Sequence, residues 1–228
     1  MKKGKLIVLE GTDCSGKETQ SNLLVDYLNS IGVKTIKSAF PNYDSPTGKI
    51  IAGAYLGKAG YMEPVFTEGA SNVDPYCASL LFAMDRKYNI GKIEKALNDG
   101  LCVVLDRYID SNMAHQASKL DGEQQDEMIK FLSDLEYGLL KLPKADVEVL
   151  LYMPTWASKQ LKAGRKEAPD QHESQEDYLL KSENTYLKIA KQRNIPVLNC
   201  TDKGKIKSIN EINQELCKMV SDYLDINC

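Results

Sequence analysis

A three-layer α/β fold, with a five-stranded parallel sheet held between helices, is predicted by three features of the sequence. Apolar runs of strand length alternate with longer segments of helical period. The run Leu101-Cys102-Val103-Val104-Leu105 is apolar without interruption, as a strand covered on both faces requires. The first run, residues 6–10, ends in Glu10 and leads into a loop with a glycine at each end, a lysine and then a helical pattern. That layout is a phosphate-binding P-loop.

Each element has its own signals. Residues 6–10 form the first strand. Residues 17 to about 31 form the first helix, with Leu23, Leu24, Tyr27 and Leu28 on one face and Gly32 at its end. Residues 33–38 alternate Val, Thr and Ile as a second strand. The segment from Phe40 to Gly48 is rich in turn formers, and Pro46 starts a short helical run through Tyr55. A Gly-rich connection, 57–72, precedes a long helix over 73–98 with apolar stripes that include Leu80, Leu81, Met84 and Tyr88. Gly100 closes it, and the third strand, 101–105, runs into Asp106-Arg107-Tyr108. Helices from about 111 and over 123–140 follow, then a fourth strand over 145–152. A helix from Pro154 to about 163, a charged loop over 164–173 and a long helix over 174–193 come next. The last strand is 196–200 and the last helix 206–223. Residues 1–228 read as one domain, with the P-loop at 11–19 and a lid at about 164–173.

Length and composition agree. The 228 residues suffice for one α/β domain, and a net charge of −3 with no dense Lys/Arg block speaks against a nucleic-acid surface. Six cysteines are scattered without Cys-x-x-Cys pairing and there are only two histidines, which argues against a zinc site and fits a reducing cytoplasm. The N-terminal apolar run is too short for a signal peptide or a membrane span.

The chemistry concentrates at strand ends. In a P-loop, glycines let backbone N–H groups turn inward around an anion, and the helix N-terminus adds partial positive charge. Lys17 would reach the outer phosphates. Glu18 stands where the motif has Ser or Thr. A tight strand–turn–helix connection without a ligand is the plain alternative. Ligands of parallel sheets bind beyond the carboxyl ends of the strands, so Glu10 to Lys17, Phe40 to Tyr43 and Asp106 to Tyr108 should meet at one edge. Asp106 is placed to hold magnesium directly or through water, and Arg107 to grip a phosphate with two N–H groups; an ion pair capping the strand is the alternative. Arg165 and Lys166 could close over a triphosphate and exclude water, or belong to a solvated charged loop.

At this point the chain resembles the thymidylate kinases along nearly its whole length. Gly11-Thr12-Asp13-Cys14-Ser15-Gly16-Lys17 looks like that family's P-loop, with an acidic residue at its third position. Leu80-Leu81-Phe82-Ala83-Met84-Asp85-Arg86 looks like its base-binding helix. Asp106-Arg107-Tyr108 with Ser111, Ala114, His115 and Gln116 looks like its next segment, and Asp170-Gln171-His172-Glu173 like its lid exit. The resemblance implies a P-loop NTPase fold with a short lid, transfer of the γ-phosphoryl of ATP to dTMP with Mg2+, and a cytoplasmic homodimer. By the same resemblance Asp13, Lys17, Arg107 and Arg165 are catalytic. Gly11, Thr12, Asp13, Cys14, Ser15, Gly16, Lys17, Glu18 and Thr19 bind ATP. Asp13, Phe40, Tyr43, Phe82, Arg86, Arg107, Ser111, His115 and Gln116 bind dTMP, and Asp106 holds the metal with Glu18 or Thr19. Phe82 would stack on the pyrimidine, or else simply pack in the core.

Three positions depart from the family pattern. Glu18 replaces the hydroxyl residue, Asn42 and Tyr43 occupy the place of an arginine found in many relatives, and Cys14 stands where some relatives have a catalytic arginine. Arg165 would then supply that last charge. A related kinase for another nucleotide or nucleoside, or a nucleotide-binding protein without catalysis, stays open at this stage.

Overall fold

The structure, a computed structural model, describes residues 3–162 and 176–224. Five parallel strands form the sheet: β1 (Leu6–Gly11), β2 (Thr35–Ala39), β3 (Cys102–Asp106), β4 (Val147–Tyr152) and β5 (Val197–Asn199). Their spatial order is β2-β3-β1-β4-β5, so β1 lies at the centre between β3 and β4. The register pairs Leu9 with Asp106, Ala39 with Asp106, and Gly11 with Leu151. Phe40 and Arg107 therefore leave the sheet beside the end of β1, Glu10 and Gly11, at the edge where such sheets bind ligands.

The helices are α1 (Lys17–Ser30), α2 (Pro46–Ile50), α3 (Pro75–Asn98), α4 (Ile109–Ala117), α5 (Gly122–Ser133), α6 (Thr155–Lys162), α7 (Glu176–Arg193) and α8 (Ile209–Tyr223). Wide π-helical turns extend α2 through Ile51–Tyr55 and α5 through Asp134–Leu139. Side chains alternate along each strand and both faces are covered. Leu6, Val8, Val103 and Leu105 pack with Ile93 and Leu97 of α3, Met113 of α4 and Leu132 of α5. Ile7, Leu9, Val104 and Val149 pack on the other side with Leu24 and Leu28 of α1 and Leu216 and Val220 of α8. Each such fully buried aliphatic contributes about 1.5–3 kcal/mol. A smaller apolar cluster of Ile51, Tyr55, Leu56, Ala70, Val73 and Ala78 secures the connection between α2 and α3. Among the described residues no helix is long and apolar enough to cross a membrane.

The expected boundaries shift for local reasons. The α3 helix begins at Pro75 rather than 73, because the Asp74 carboxylate accepts the Cys77 N–H (2.9 Å) and caps it. β4 begins at Val147, since Asp146 accepts from the Leu6 N–H (2.9 Å) and the Lys5 ammonium (2.7 Å). The last helix begins at Ile209 behind a Ser208–Glu211 capping box. Ahead of it lies a hairpin the sequence reading missed, β6 (Thr201–Asp202) and β7 (Lys205–Ile206), turned by Lys203 and Gly204 at positive φ. The proposed lid, 164–173, lies outside the described residues.

At Gly11 the chain passes so close to its neighbours that a Cβ would lie 2.5 Å from Ser15 Oγ and 2.7 Å from the Leu151 carbonyl oxygen. Gly11→Ala should therefore lower the unfolding free energy by about 1–3 kcal/mol, the usual cost of overpacking. Urea denaturation checks this, and an unchanged midpoint would contradict the packing described.

Candidate active site

The P-loop is built between β1 and α1. Thr12 fastens it to the end of β4: its hydroxyl donates to the Met153 carbonyl (2.7 Å) and accepts the Met153 N–H (2.8 Å). Cys14 (φ 56°) and Gly16 (φ 76°) both adopt left-handed backbone, which curls the loop. Lys17 folds into it, its ammonium donating to the carbonyls of Gly11 (3.0 Å) and Thr12 (2.9 Å) and to Ser15 Oγ (3.2 Å). Burial, reinforced by the Arg107 charge, pushes the Lys17 pKa down to about 8 against the pull of Asp106, Asp13 and Glu10. Asp13 is paired with Lys162 at the end of α6 and accepts a hydrogen bond from the Cys14 thiol (3.6 Å). Burial alone would raise the Asp13 pKa; Lys162, with Lys17 and Arg107 behind it, outweighs burial and holds it low.

Glu10, 1% exposed, anchors the adjoining segment. Its carboxylate accepts the N–H groups of Tyr108 (2.7 Å) and Ser111 (3.1 Å) and the Ser111 hydroxyl (2.5 Å). Arg107 sits at φ 66°, a left-handed conformation that costs a non-glycine residue about 1–3 kcal/mol. Its Nη1 donates to Ser111 Oγ (3.2 Å) and the Tyr186 oxygen (3.3 Å). Since the Ser111 proton goes to Glu10, Tyr186 donates to Ser111 across their 2.8 Å contact. Burial opposes the Arg107 charge, but Tyr186, Asp106, Glu10 and Asp13 together hold its pKa above the ordinary value. Burial keeps the Tyr186 phenol protonated.

Beside the P-loop opens a cleft whose empty volume, open solvent included, is about 800 Å³. Asp13 and Arg107 line it, and so do Phe40, Tyr43, Phe82, Arg86, Ser111, His115 and Gln116. Arg86, 2% exposed, is paired in two-pronged fashion with the fully buried Glu136: Nε bonds Oε2, and Nη2 bonds Oε1 at 2.6 Å. Asn112 also lines the cleft; its Nδ2 donates to the Ser79 carbonyl and to Glu136 Oε1, each at 3.1 Å. Asn112 Oδ1 and both amide atoms of Gln116 are buried with no hydrogen-bond partner among the described residues. Folded proteins rarely leave three such atoms together, and a polar ligand would satisfy them. The Phe82 ring meets Tyr55 edge-on (5.5 Å, 89°) while also facing the cleft, so its packing and its exposure to a ligand coexist. His115 Nδ1 and the Tyr178 hydroxyl share a 3.0 Å hydrogen bond, and their rings stack.

The structure thus brings together at one cleft every residue expected at the acceptor end. Gly11, Thr12, Ser15 and Lys17 are buried in the loop; Gly16, Glu18 and Thr19 are exposed on its outer side. Asp106 ends β3 half-buried, with no side-chain hydrogen bond among the described residues. Arg165 lies outside the described residues. Asn42, in the place of the missing arginine, is pinned by its N–H to Asp85 Oδ2 (2.8 Å), and the Lys58 ammonium lies 4.3 Å from the centre of the Tyr43 ring. Sequence reasoning did not single out Lys162, Glu136, Asn112 or Tyr186, or the anchoring role of Glu10. The available signal for Glu136 was a carboxylate in a helical segment between Leu132, Leu135, Leu139 and Leu140.

Comparison with known proteins follows the same lines. A family model described as thymidylate kinase matches residues 9–212. A thymidylate kinase of Brachyspira hyodysenteriae is 40% identical over 118 residues, 51% of this chain and 51% of that protein, so the chain spans about half the length of that relative. A probable thymidylate kinase of Methanococcus aeolicus is 30% identical over 224 residues, 96% of each. The solved structure of the thymidylate kinase from Candida albicans superposes with a TM-score of 0.73 at 25% identity, covering 99% of this chain and 94% of that one.

A nucleotide's phosphates should restore the Lys17 charge. The free protein holds that ammonium with a pKa of about 8 against an ordinary 10.5, so its burial opposes folding in full below pH 8 and progressively less up to 10.5. Binding ATP near pH 9 should then take up close to one proton per site, and affinity should weaken as pH rises past 8. Calorimetric titrations in buffers of different ionisation enthalpy measure this; an uptake that persists in Lys17→Met would assign the proton elsewhere.

Proposed function

The chain belongs to the thymidylate kinase family, and from that premise we propose that it transfers the γ-phosphoryl group of ATP to dTMP, giving ADP and dTDP. The observation that carries this reading is the cleft itself. Asp13 of the loop that buries Lys17 stands with Arg107 at the cleft, and unpaired buried amides with Arg86 and Phe82 line the same space. Phosphoryl transfer asks a protein for positioning and charge neutralisation more than for covalent chemistry. In this reading Lys17 leaves the loop carbonyls for the donor phosphates, and the backbone of residues 11–19 cradles them. Arg107, fixed by Ser111 and Tyr186, holds the acceptor phosphate. One of that phosphate's oxygens attacks the γ-phosphorus as the bond to the β,γ-bridging oxygen breaks. Asp13 lies between donor and acceptor and orients the attacking group, its pairing with Lys162 keeping it ionised. Arg165, as a lid cation, takes the place that Cys14 cannot fill. Phe82 stacks on the pyrimidine, worth about 1–3 kcal/mol by analogy with base stacking on aromatic side chains.

Magnesium fits this donor set. Among the described residues no three His, Cys, Asp or Glu side chains form a ready metal cage. Mg2+ commonly binds one or two carboxylates plus substrate phosphates, keeping several waters. Asp106 would hold it, with Glu18 or Thr19 on the first turn of α1, directly or through water. When bound with ATP, the ion neutralises charge on the β- and γ-phosphates.

Residues 1–228 act as one domain in this account, in the cytoplasm, where the five free cysteines of the described residues stay reduced. The homodimer is assigned to α3. Tyr76, Leu80, Met84 and Tyr88 recur every four residues along one face and are 40%, 51%, 39% and 63% exposed.

Incubating the purified protein with ATP and dTMP, dUMP, dCMP, dGMP or thymidine tests the activity. dTMP should rank among the best acceptors, and Arg107→Ala should lower kcat by about 10²–10³, as loss of a charge-stabilising donor does. No dTDP at high enzyme concentration would sink the proposal. For the dimer, Leu80→Glu should yield monomers in sedimentation equilibrium while the wild type sediments as a dimer; a variant that stays dimeric moves the interface off α3.

A further inference from the structure

Glu136 takes no part in the mechanism above, yet it governs what the inner end of the cleft can recognise. It is fully buried on the wide turn that follows α5, and three N–H groups converge on its carboxylate: Nε and Nη2 of Arg86, and Nδ2 of Asn112 (3.1 Å). A carboxylate in that position only accepts. The Asn112 amide also faces the Ser79 carbonyl (3.1 Å), a second acceptor. Turning the amide over would set its oxygen against two oxygens, so the nitrogen is locked towards Glu136 and Oδ1 is left as the unpaired atom of a cleft-lining side chain. Arg86 can only donate. The site therefore offers a base one fixed donor and one fixed acceptor. The Gln116 amide, unpaired at both atoms, is under no such lock and can present either group.

Resting on the reading of this cleft as the pyrimidine site, we propose that Glu136 is a positioning residue that selects keto over amino pyrimidines. A keto pyrimidine presents an N3–H donor beside a carbonyl acceptor, which matches Asn112 Oδ1 and Arg86. An amino pyrimidine presents an unprotonated N3 and an exocyclic amine. It sets acceptor against acceptor and donor against donor, and leaves both buried protein groups unpaired. Sites built to hydrogen-bond a substrate reject a mismatched analogue strongly for this reason.

The test is kcat/KM for dTMP and for dCMP, at saturating ATP, in wild type, Glu136→Gln and Asn112→Ala, with circular dichroism melts to establish folding. Wild type should favour dTMP by at least about 10³. Glu136→Gln sets an amide donor among the three converging donors and frees at least one of them. The dTMP-to-dCMP ratio should fall about tenfold or more, mainly through a higher KM for dTMP, with the KM for ATP within about twofold of wild type. Asn112→Ala removes the fixed acceptor while leaving the Arg86–Glu136 pair, and should lower the ratio by a similar factor. If Glu136→Gln does not fold, Asn112→Ala decides. An unchanged ratio in either folded variant overturns the proposal, because a purely structural role would depress both acceptors together. Wild type that handles dTMP and dCMP equally overturns it too, while leaving the kinase reading in place. Wild type inactive on dTMP defeats the kinase reading itself.

Discussion

The buried carboxylate of Glu10 is the constraint on which the site geometry depends. It stands one residue before the end of the central strand and accepts the N–H groups of Tyr108, the N-cap of α4, and of Ser111 in its first turn, together with the Ser111 hydroxyl. The α4 helix has no side-chain cap of its own; Glu10 serves that end from another element, placing a carboxylate where the helix dipole favours it. Desolvating a carboxylate is expensive, and burial does push the Glu10 pKa up. Three donors and the nearby Arg107 charge offset that cost. The consequence reaches beyond stability, because clamping Tyr108 and Ser111 fixes the chain directly after Arg107, which stands in a left-handed conformation with its guanidinium directed at Ser111 and Tyr186. A different residue at position 10 would release the arginine as well as the helix.

The two ends of the cleft handle charge in opposite ways. At the inner end Arg86 is neutralised within the fold by Glu136, which leaves it a donor of fixed direction rather than a free charge. At the outer end Lys17, Lys162 and Arg107 surround Asp13. Asp106 and Glu10 also act on Lys17 and Arg107, so the three cations are gathered by carboxylates of the fold, and in the proposed function they turn to phosphates. The polar atoms left unpaired at Asn112 and Gln116 belong to the same design. The fold leaves these atoms without hydrogen bonds among the described residues, and a ligand with complementary atoms would supply them.

What could be read from the sequence was what depends on local pattern. Five strands and the helices between them followed from hydrophobic period and glycine punctuation, because alternation and helical repeats act over a few residues. The chemistry at strand ends followed from the topology of parallel sheets. Residues of the acceptor end followed from family resemblance, and the cleft unites them. Missing were the partners. Glu10 meets Ser111 101 positions away, Arg86 meets Glu136 50 away, and Thr12 meets Met153 141 away. No local pattern encodes such pairings. The 201–206 hairpin escaped because two-residue strands carry too little alternation to register. Glu18, which looked anomalous in a P-loop, lies exposed on the first turn of α1, where an acidic side chain is electrostatically favoured whatever else it does.

The state of Lys17 in the nucleotide-free protein follows from the same loop geometry. An ammonium has three N–H donors, and Gly11, Thr12 and Ser15 present three acceptors to it. Satisfied in that way, the lysine does not leave an unpaired charge in a buried site, and the loop keeps its curl around it. Those acceptors are neutral, however, and they compensate the lost hydration only in part, which is why the pKa settles near 8 rather than at its ordinary value. Arg107 pushes it further in the same direction. In the proposed function a donor phosphate would offer what the carbonyls lack, full negative charge at hydrogen-bonding distance. In that function the cradle would exchange its own lysine, seen here against the loop carbonyls, for a phosphate that draws the lysine outward. The hydrogen bonds given up join the ammonium to neutral acceptors, and those gained would join it to a charged one.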